Sequence, residues 1–113
     1  MAIIVVAEDD PTLLTLLQKA ITSMGHLTIK CRNGRVAFDF LRDNFEITHL
    51  LITDIMMPEM DGLELLDRVR NHRGMSRLPV IIQSAYLGPQ ATKEVEDKGA
   101  SCTIHKPLDL NQL

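Results

Sequence analysis

Large aromatic rings are scarce in this chain: it has no tryptophan, one tyrosine and three phenylalanines in 113 residues. Its core must therefore be aliphatic, built from Leu, Ile, Val and Met. Apolar residues make up 45% of the chain, an ordinary share, and the length suits one domain around a single core. An excess of positive charge is also missing. With a net charge of −3 and a pI of about 5.7, the chain lacks the basic footprint of a nucleic-acid binder. No apolar run approaches the ~18–20 residues of a membrane-spanning helix. The N-terminus has no basic leader and runs straight into acidic residues, which argues against a signal peptide. Cys31 and Cys102 have neither CxxC nor zinc spacing; they suit a reducing cytoplasm and read as small, semi-buried hydrophobes. His26, His49, His72 and His105 show no ligand spacing and read as solvated or capping groups. No glycine-rich phosphate loop follows the first apolar run, which speaks against a nucleotide site of that kind. Repeats and low-complexity stretches are absent.

What is present is an alternation of short apolar runs with amphipathic helical patterns. Ile3–Val6 reads as a buried strand. Asp10-Pro11 then opens a helix, Asp as N-cap and Pro at the first helical position. Leu13, Leu14, Leu17, Ala20, Ile21 and Met24 follow at helical spacing, and Gly25 is its stop. Thr28–Cys31 is a second strand, ended by the turn signal Asn33-Gly34. Ala37, Phe38 and Leu41 mark the inner side of a second helix. His49–Thr53 is a third strand, apolar enough at its centre for burial on both faces. Pro58 makes Met56 to Met60 a loop. Asp61-Gly62-Leu63-Glu64 resembles a capping box that opens a third helix, with Leu65, Leu66 and Val69 facing inward. After a polar connection from His72 to Leu78, part of a charged stretch from Asp67 to Arg77 that reads as a solvated face, come strand four (Pro79–Gln83), a short polar helix (Gln90–Lys98) and strand five (Ser101–His105). Such alternation gives a parallel sheet covered by helices on both faces.

In a doubly wound sheet of this kind, active groups gather beyond the carboxyl ends of the strands. Glu8, Asp9, Asp54, Ser84 and Lys106 all fall at such ends. Three acids brought within a few ångström either raise the pKa of one member or recruit a cation, and an all-oxygen pocket favours Mg²⁺. Asp54 is then a candidate nucleophile that forms an acyl phosphate, Lys106 a charge that neutralises phosphoryl oxygens, and Ser84 a hydroxyl donor to the same group. Asp10 belongs to the helix cap. The methionines at 56, 57 and 60 read as loop packing. Only Leu108 to Leu113 follow Lys106-Pro107, about a turn and a half of helix. A final helix of normal length is thus expected to be truncated, or the sheet face to be covered by a partner.

Together these motifs resemble the receiver domain of two-component response regulators, the family of the small chemotaxis regulator. The resemblance runs from Ile3 to Pro107. It rests on the acid pair after strand one, the D-x-x-M-P-x-M-D-G segment at Asp54–Gly62, Leu78-Pro79-Val80 leading to Ser84-Ala85, and Gly99-Ala100-Ser101 leading to Lys106-Pro107. It implies one receiver domain over residues 1–113 with a flavodoxin-like five-stranded parallel sheet in the order 2-1-3-4-5. It implies Asp54 as phosphoacceptor, Mg²⁺ held by Glu8, Asp9, Asp54 and the backbone carbonyl of Met56, Ser84 as switch hydroxyl, and Lys106 as phosphate-binding lysine. The family's Lys-Pro peptide bond is commonly cis, which Lys106-Pro107 permits at a modest cost. Implied partners are a histidine kinase or phosphotransfer protein and a downstream output domain or protein. Direct nucleic-acid binding and membrane insertion are not implied, and the location is cytoplasmic. The strand order would put Cys31 and Cys102 on opposite edges, too far apart for a disulfide.

Two departures from the family pattern stand out. Thr103 occupies the position where the family usually carries a Tyr or Phe rotamer switch, and the last helix is short. Met56 and Tyr86 would flank the phosphoryl group and hinder an attacking water. Two other functions compete with a switching receiver. A haloacid-dehalogenase-like phosphatase needs a second Asp two residues after the nucleophile, where this chain has Met56. A receiver-like interaction module that works without phosphate fits the loss at Thr103 but leaves the acid set and Lys106 unexplained.

Overall fold

The structure is a computed structural model that describes residues 1–84 and 88–105. Five parallel strands, β1 (Ile3–Ala7), β2 (Leu27–Cys31), β3 (Leu50–Asp54), β4 (Val80–Ser84) and β5 (Cys102–His105), form one sheet in the order β2-β1-β3-β4-β5. This is the flavodoxin-like order the resemblance implies. The helices are α1 (Pro11–Ser23), α2 (Gly34–Asn44), α3 (Gly62–Asn71) and α4 (Pro89–Asp97), and a single 3₁₀ turn at Phe45–Ile47 joins α2 to β3.

Side chains alternate across each strand, so the sheet separates two apolar layers. Val5, Ala7, Leu51, Val80 and Ile82 face α2, α3 and α4, where Ala37, Leu41, Leu65, Leu66, Val69 and Val95 close over them. Ile4, Val6 and Ile52 face α1 and meet Leu17 and Ile21. Leu51, Ile52 and Thr53 are fully buried, as expected of a central strand covered on both faces. Each buried Leu, Ile or Val contributes roughly 1.5–3 kcal/mol relative to leaving it in water. Methionine and aliphatic side chains carry this core.

Helix starts follow the cap chemistry of the sequence. The Asp10 carboxylate accepts from Thr12 N at 2.9 Å and Leu13 N at 3.4 Å, with Pro11 opening α1. Asp61 accepts from Glu64 N at 2.8 Å. Asn33, expected only as a turn residue, caps α2 by accepting from Val36 N at 2.8 Å. Gly25 stops α1 with a φ of +87°, the left-handed conformation that suits glycine.

The differences from expectation are local. Strand and helix limits move by a residue, and Met24 is exposed rather than packed. The connection after α3 is less polar than it reads, because Met75 and Leu78 are buried in the main core. Arg70 is not part of a solvated face. It lies half-buried and donates from Nε to Gly99 O at 2.8 Å and from Nη1 to Leu78 O at 2.6 Å, tying α3 to the turns before β4 and β5. His26 and His49 accept the backbone N–H groups of Ala2 and Ile3, each at 2.9 Å, where β1 begins. They act as caps to a strand.

Cys31 and Cys102 lie on opposite edge strands and are both free. Cys31 is buried, which pushes its thiol up to about 11, whereas Cys102 is exposed rather than semi-buried. The thiolate is the reactive form, so access and charge act in the same direction here. An aromatic disulfide reagent near neutral pH is expected to modify Cys102 promptly and Cys31 only on unfolding. Equal rates for the two thiols, read by peptide mass mapping, would contradict the burial of Cys31.

Candidate functional site

The acids meet because the strands are in register. Ile52 pairs with Ile81, and both pack in the α1 layer. Two residues further along, Asp54 pairs with Gln83 on the same face. Glu8 extends the row on the other side of Asp54: it follows β1 directly, and its N–H continues the ladder to Cys31 O at 2.9 Å. The apolar layer under α1 thus ends, at the carboxyl edge of the sheet, in polar groups on three adjacent strands.

Glu8, Asp9 and Asp54 each offer a carboxylate oxygen, and these oxygens lie within 4.8 Å of one another. Glu8 and Asp54 are only 1% and 6% exposed, while Asp9 opens to solvent. Hydrogen bonds hold the two buried carboxylates. Glu8 Oε2 accepts from Asp10 N at 3.0 Å and Glu8 Oε1 from Gln83 Nε2 at 3.3 Å. Asp54 Oδ1 accepts from Ile55 N at 2.7 Å. Three like charges this close are mutually unfavourable, and a hard cation relieves them. Asp10, as expected, turns away to its cap and stays out of the cluster.

The remaining sequence candidates are placed in part. Ser84 ends β4, half-buried, one position beyond the row that holds Asp54 and Gln83. Met56 lies in the loop after Asp54 and is 77% exposed. Of its methionine neighbours, Met60 is buried and Met57 packs on the core, in keeping with loop packing. Thr103 is half-buried on β5 and pairs with Ile82. Ala85, Tyr86, Lys106, Pro107 and the segment 108–113 lie outside the described residues, and so does the expected truncation of the last helix.

Two features of the site were not read from the sequence. Gln83 passed as the last residue of an apolar strand; its only signal was a polar amide among Val80, Ile81 and Ile82. The other is the tight seating of the loop from Ile55 to Asp61. Gly62 N donates to Ile55 O at 2.8 Å and Gly34 N to Met60 O at 3.1 Å, with backbone so near both glycines that neither tolerates a Cβ.

A family model described as the response regulator receiver domain matches residues 4–113. The chain belongs to that family. Among curated relatives, the regulatory protein AtoC of Escherichia coli (strain K12) is 33% identical over 97% of this chain and 23% of its own length. The DNA-binding transcriptional regulator NtrC of Proteus hauseri is 36% identical over 95% of this chain and 22% of its own. The chain thus spans about a quarter of the length of these relatives. Among solved structures, the receiver domain of the Francisella response regulator 1452 is 25% identical, with a TM-score of 0.91, covering 99% of this chain and 89% of that one. This receiver domain is therefore a signalling domain of the two-component type. Among the described residues no helix is long and apolar enough to cross a membrane.

Proposed function

We propose that this receiver takes a phosphoryl group from a phosphohistidine donor onto Asp54 in a Mg²⁺-dependent reaction, and thereby switches a partner-binding surface. The observation that carries this reading is the near-buried Asp54 at the end of β3, its carboxylate within 4.8 Å of those of Glu8 and Asp9. The donor set is all oxygen and strongly anionic, which fits Mg²⁺. Glu8, Asp9, Asp54 and the Met56 backbone carbonyl would hold the ion. Bound there, Mg²⁺ supplies charge neutralisation for the phosphoryl oxygens.

The residues of the chain do the rest. A carboxylate oxygen of Asp54 forms the new O–P bond in line with the donor. The P–N bond breaks, and its electron pair returns to the donor imidazole. The hydrogen bond from Ile55 N to Asp54 Oδ1 fixes the orientation of the carboxylate. Ser84 would donate its hydroxyl hydrogen to a phosphoryl oxygen, and Lys106 would face the remaining charge. Formation of the acyl phosphate redistributes charge at the strand ends, and the balance between two conformations shifts with it.

The domain would catalyse only its own phosphorylation and dephosphorylation. A phosphatase of the haloacid-dehalogenase kind is disfavoured by Met56, which offers no proton where that chemistry needs a carboxylic acid. The donor would be a histidine kinase or phosphotransfer protein in the cytoplasm. Output would pass to a further domain or protein, since the longer relatives include DNA-binding regulators.

Intact mass after incubation with Mg²⁺ and acetyl phosphate tests the reading. The parent is expected to gain one phosphoryl group, and neither the Asp54→Ala protein nor the parent in EDTA to gain any. A parent that stays unmodified would overturn it in favour of a phosphate-independent interaction module.

A further inference from the structure

Gln83 is fully buried near the carboxyl end of β4, one strand from Asp54 and two from Glu8. Its side chain reaches over β3, and its Nε2 donates to Glu8 Oε1 at 3.3 Å, a contact between residues 75 positions apart. The nitrogen end faces Glu8 for a chemical reason. Turned over, the amide would set its own oxygen against a carboxylate oxygen, two acceptors without a proton between them. In the orientation observed, Gln83 Oε1 is buried with no hydrogen-bond partner among the described residues.

Packing alone has no use for a glutamine at this place. An apolar residue of the same length would fill the space without burying a carbonyl that has no partner among the described residues. Val80 and Ile82 of the same strand are apolar and fully buried, so position 83 is the exception. Among the described residues the polar end of Gln83 makes one hydrogen bond, and that bond is to a member of the acid cluster. Glu8 is thereby held from two directions, by Asp10 N on its own chain segment and by Gln83 from across the sheet. A buried carboxylate gripped at both oxygens has little freedom to turn away from Asp9 and Asp54.

We propose that Gln83 is a positioning residue of the cation site, holding the Glu8 carboxylate in the orientation that lets the three acids converge. The proposal rests on the reading of Glu8, Asp9 and Asp54 as a divalent-cation site. Partners that orient the ligands of a metal site typically change its affinity by about 10–100-fold when removed.

Mn²⁺ is the probe, its free concentration read from the electron paramagnetic resonance signal of the hydrated ion, with the 113-residue chain in the parent, Gln83→Met, Glu8→Ala and doubly substituted forms. Gln83→Met keeps length and removes the donor; it is expected to weaken Mn²⁺ binding about tenfold. In the Glu8→Ala background the same change is expected to alter affinity by less than about twofold, because the group it acts through is gone. Under saturating Mn²⁺, Gln83→Met is expected to accept phosphate from acetyl phosphate at close to the parental rate, with the loss confined to the metal dependence. Unchanged affinity in Gln83→Met would overturn the proposal, and so would an equal loss in both backgrounds, which would mark a general effect on the fold. A parent that binds no Mn²⁺ would remove the cation site itself and the proposal with it. Should Gln83→Met fail to fold, Gln83→Asn, too short by one methylene to keep the contact, takes its place under the same outcomes.

Discussion

Alanine at position 62 is expected to lower the stability of the domain by about 2–3 kcal/mol and to reduce phosphoryl acceptance at Asp54, though the substitution adds a single methyl group. Gly62 is the first residue of α3. A Cβ there would overlap the Asp54 carbonyl oxygen and lie 2.9 Å from both Asp54 C and Ile55 Cα. All three are backbone atoms, and no rotamer change moves them aside. Either α3 lifts from the sheet, which breaks the 2.8 Å hydrogen bond from Gly62 N to Ile55 O, or the end of β3 shifts and carries the Asp54 carboxylate with it. In a helix of ordinary surroundings the same change would gain up to about 1 kcal/mol, since alanine is the better helix former. Overpacking against fixed backbone sets the sign.

Gly25 supplies the comparison. Its φ is +87°, and a Cβ there would meet nothing within 4 Å. Gly25→Ala therefore carries only the conformational penalty, about 1 kcal/mol, far from the acids and with acceptance unchanged. Urea unfolding midpoints and intact mass after acetyl phosphate treatment separate the two variants. A Gly62→Ala protein with the parental midpoint would show that α3 does not sit on the Asp54 carbonyl as described.

Period and caps made most of the fold legible. The run Leu50–Ile52 before Asp54, the helical spacing of Leu65, Leu66 and Val69, and the caps Asp10 and Asp61 are local signals, and each appears where it was read. The acid cluster was legible for the same reason. Once Glu8 and Asp54 are placed at the ends of neighbouring parallel strands, the topology brings them together. What sequence reading missed depends on contacts between distant segments. Arg70 looks like any charged residue of a surface helix until Gly99 and Leu78 supply carbonyls to its guanidinium. Met75 and Leu78 lie in a stretch whose other residues are polar, so no period announces their burial. Gly34 and Gly62 read as a turn residue and a cap-box residue, whereas each marks a place where two backbones touch. Gln83 is the clearest case, because a polar residue after a run of apolar ones in a strand has no meaning until the carboxylate it serves is known.

Asparagine at position 54 is expected to act in opposite directions on stability depending on whether a divalent cation is present. In EDTA the variant should be the more stable protein, by about 1–2 kcal/mol. Unit charges within 4.8 Å of one another repel by at least about 1 kcal/mol at an effective dielectric of roughly 80 and at least about 3 kcal/mol at roughly 20. Asp9 faces solvent and is screened toward the low end, while Glu8 is nearly fully buried and lies toward the high end. Asparagine removes the charge of residue 54 but keeps an oxygen that can accept from Ile55 N, so the orienting hydrogen bond survives. Adding Mg²⁺ reverses the order. A cation that binds only the folded parent stabilises it by about 2.7 kcal/mol at a hundred times its dissociation constant, and a site with one carboxylate fewer gains much less. Raising NaCl in EDTA should shrink the first difference, as screening of charge repulsion requires. The variant should also accept no phosphoryl group under any of these conditions. The relevant measurement is a set of urea midpoints in EDTA, in EDTA with added NaCl, and in Mg²⁺. An Asp54→Asn protein less stable than the parent in EDTA would mean that the charge of Asp54 does not oppose folding, and one stabilised equally by Mg²⁺ would mean that it does not draw in the cation.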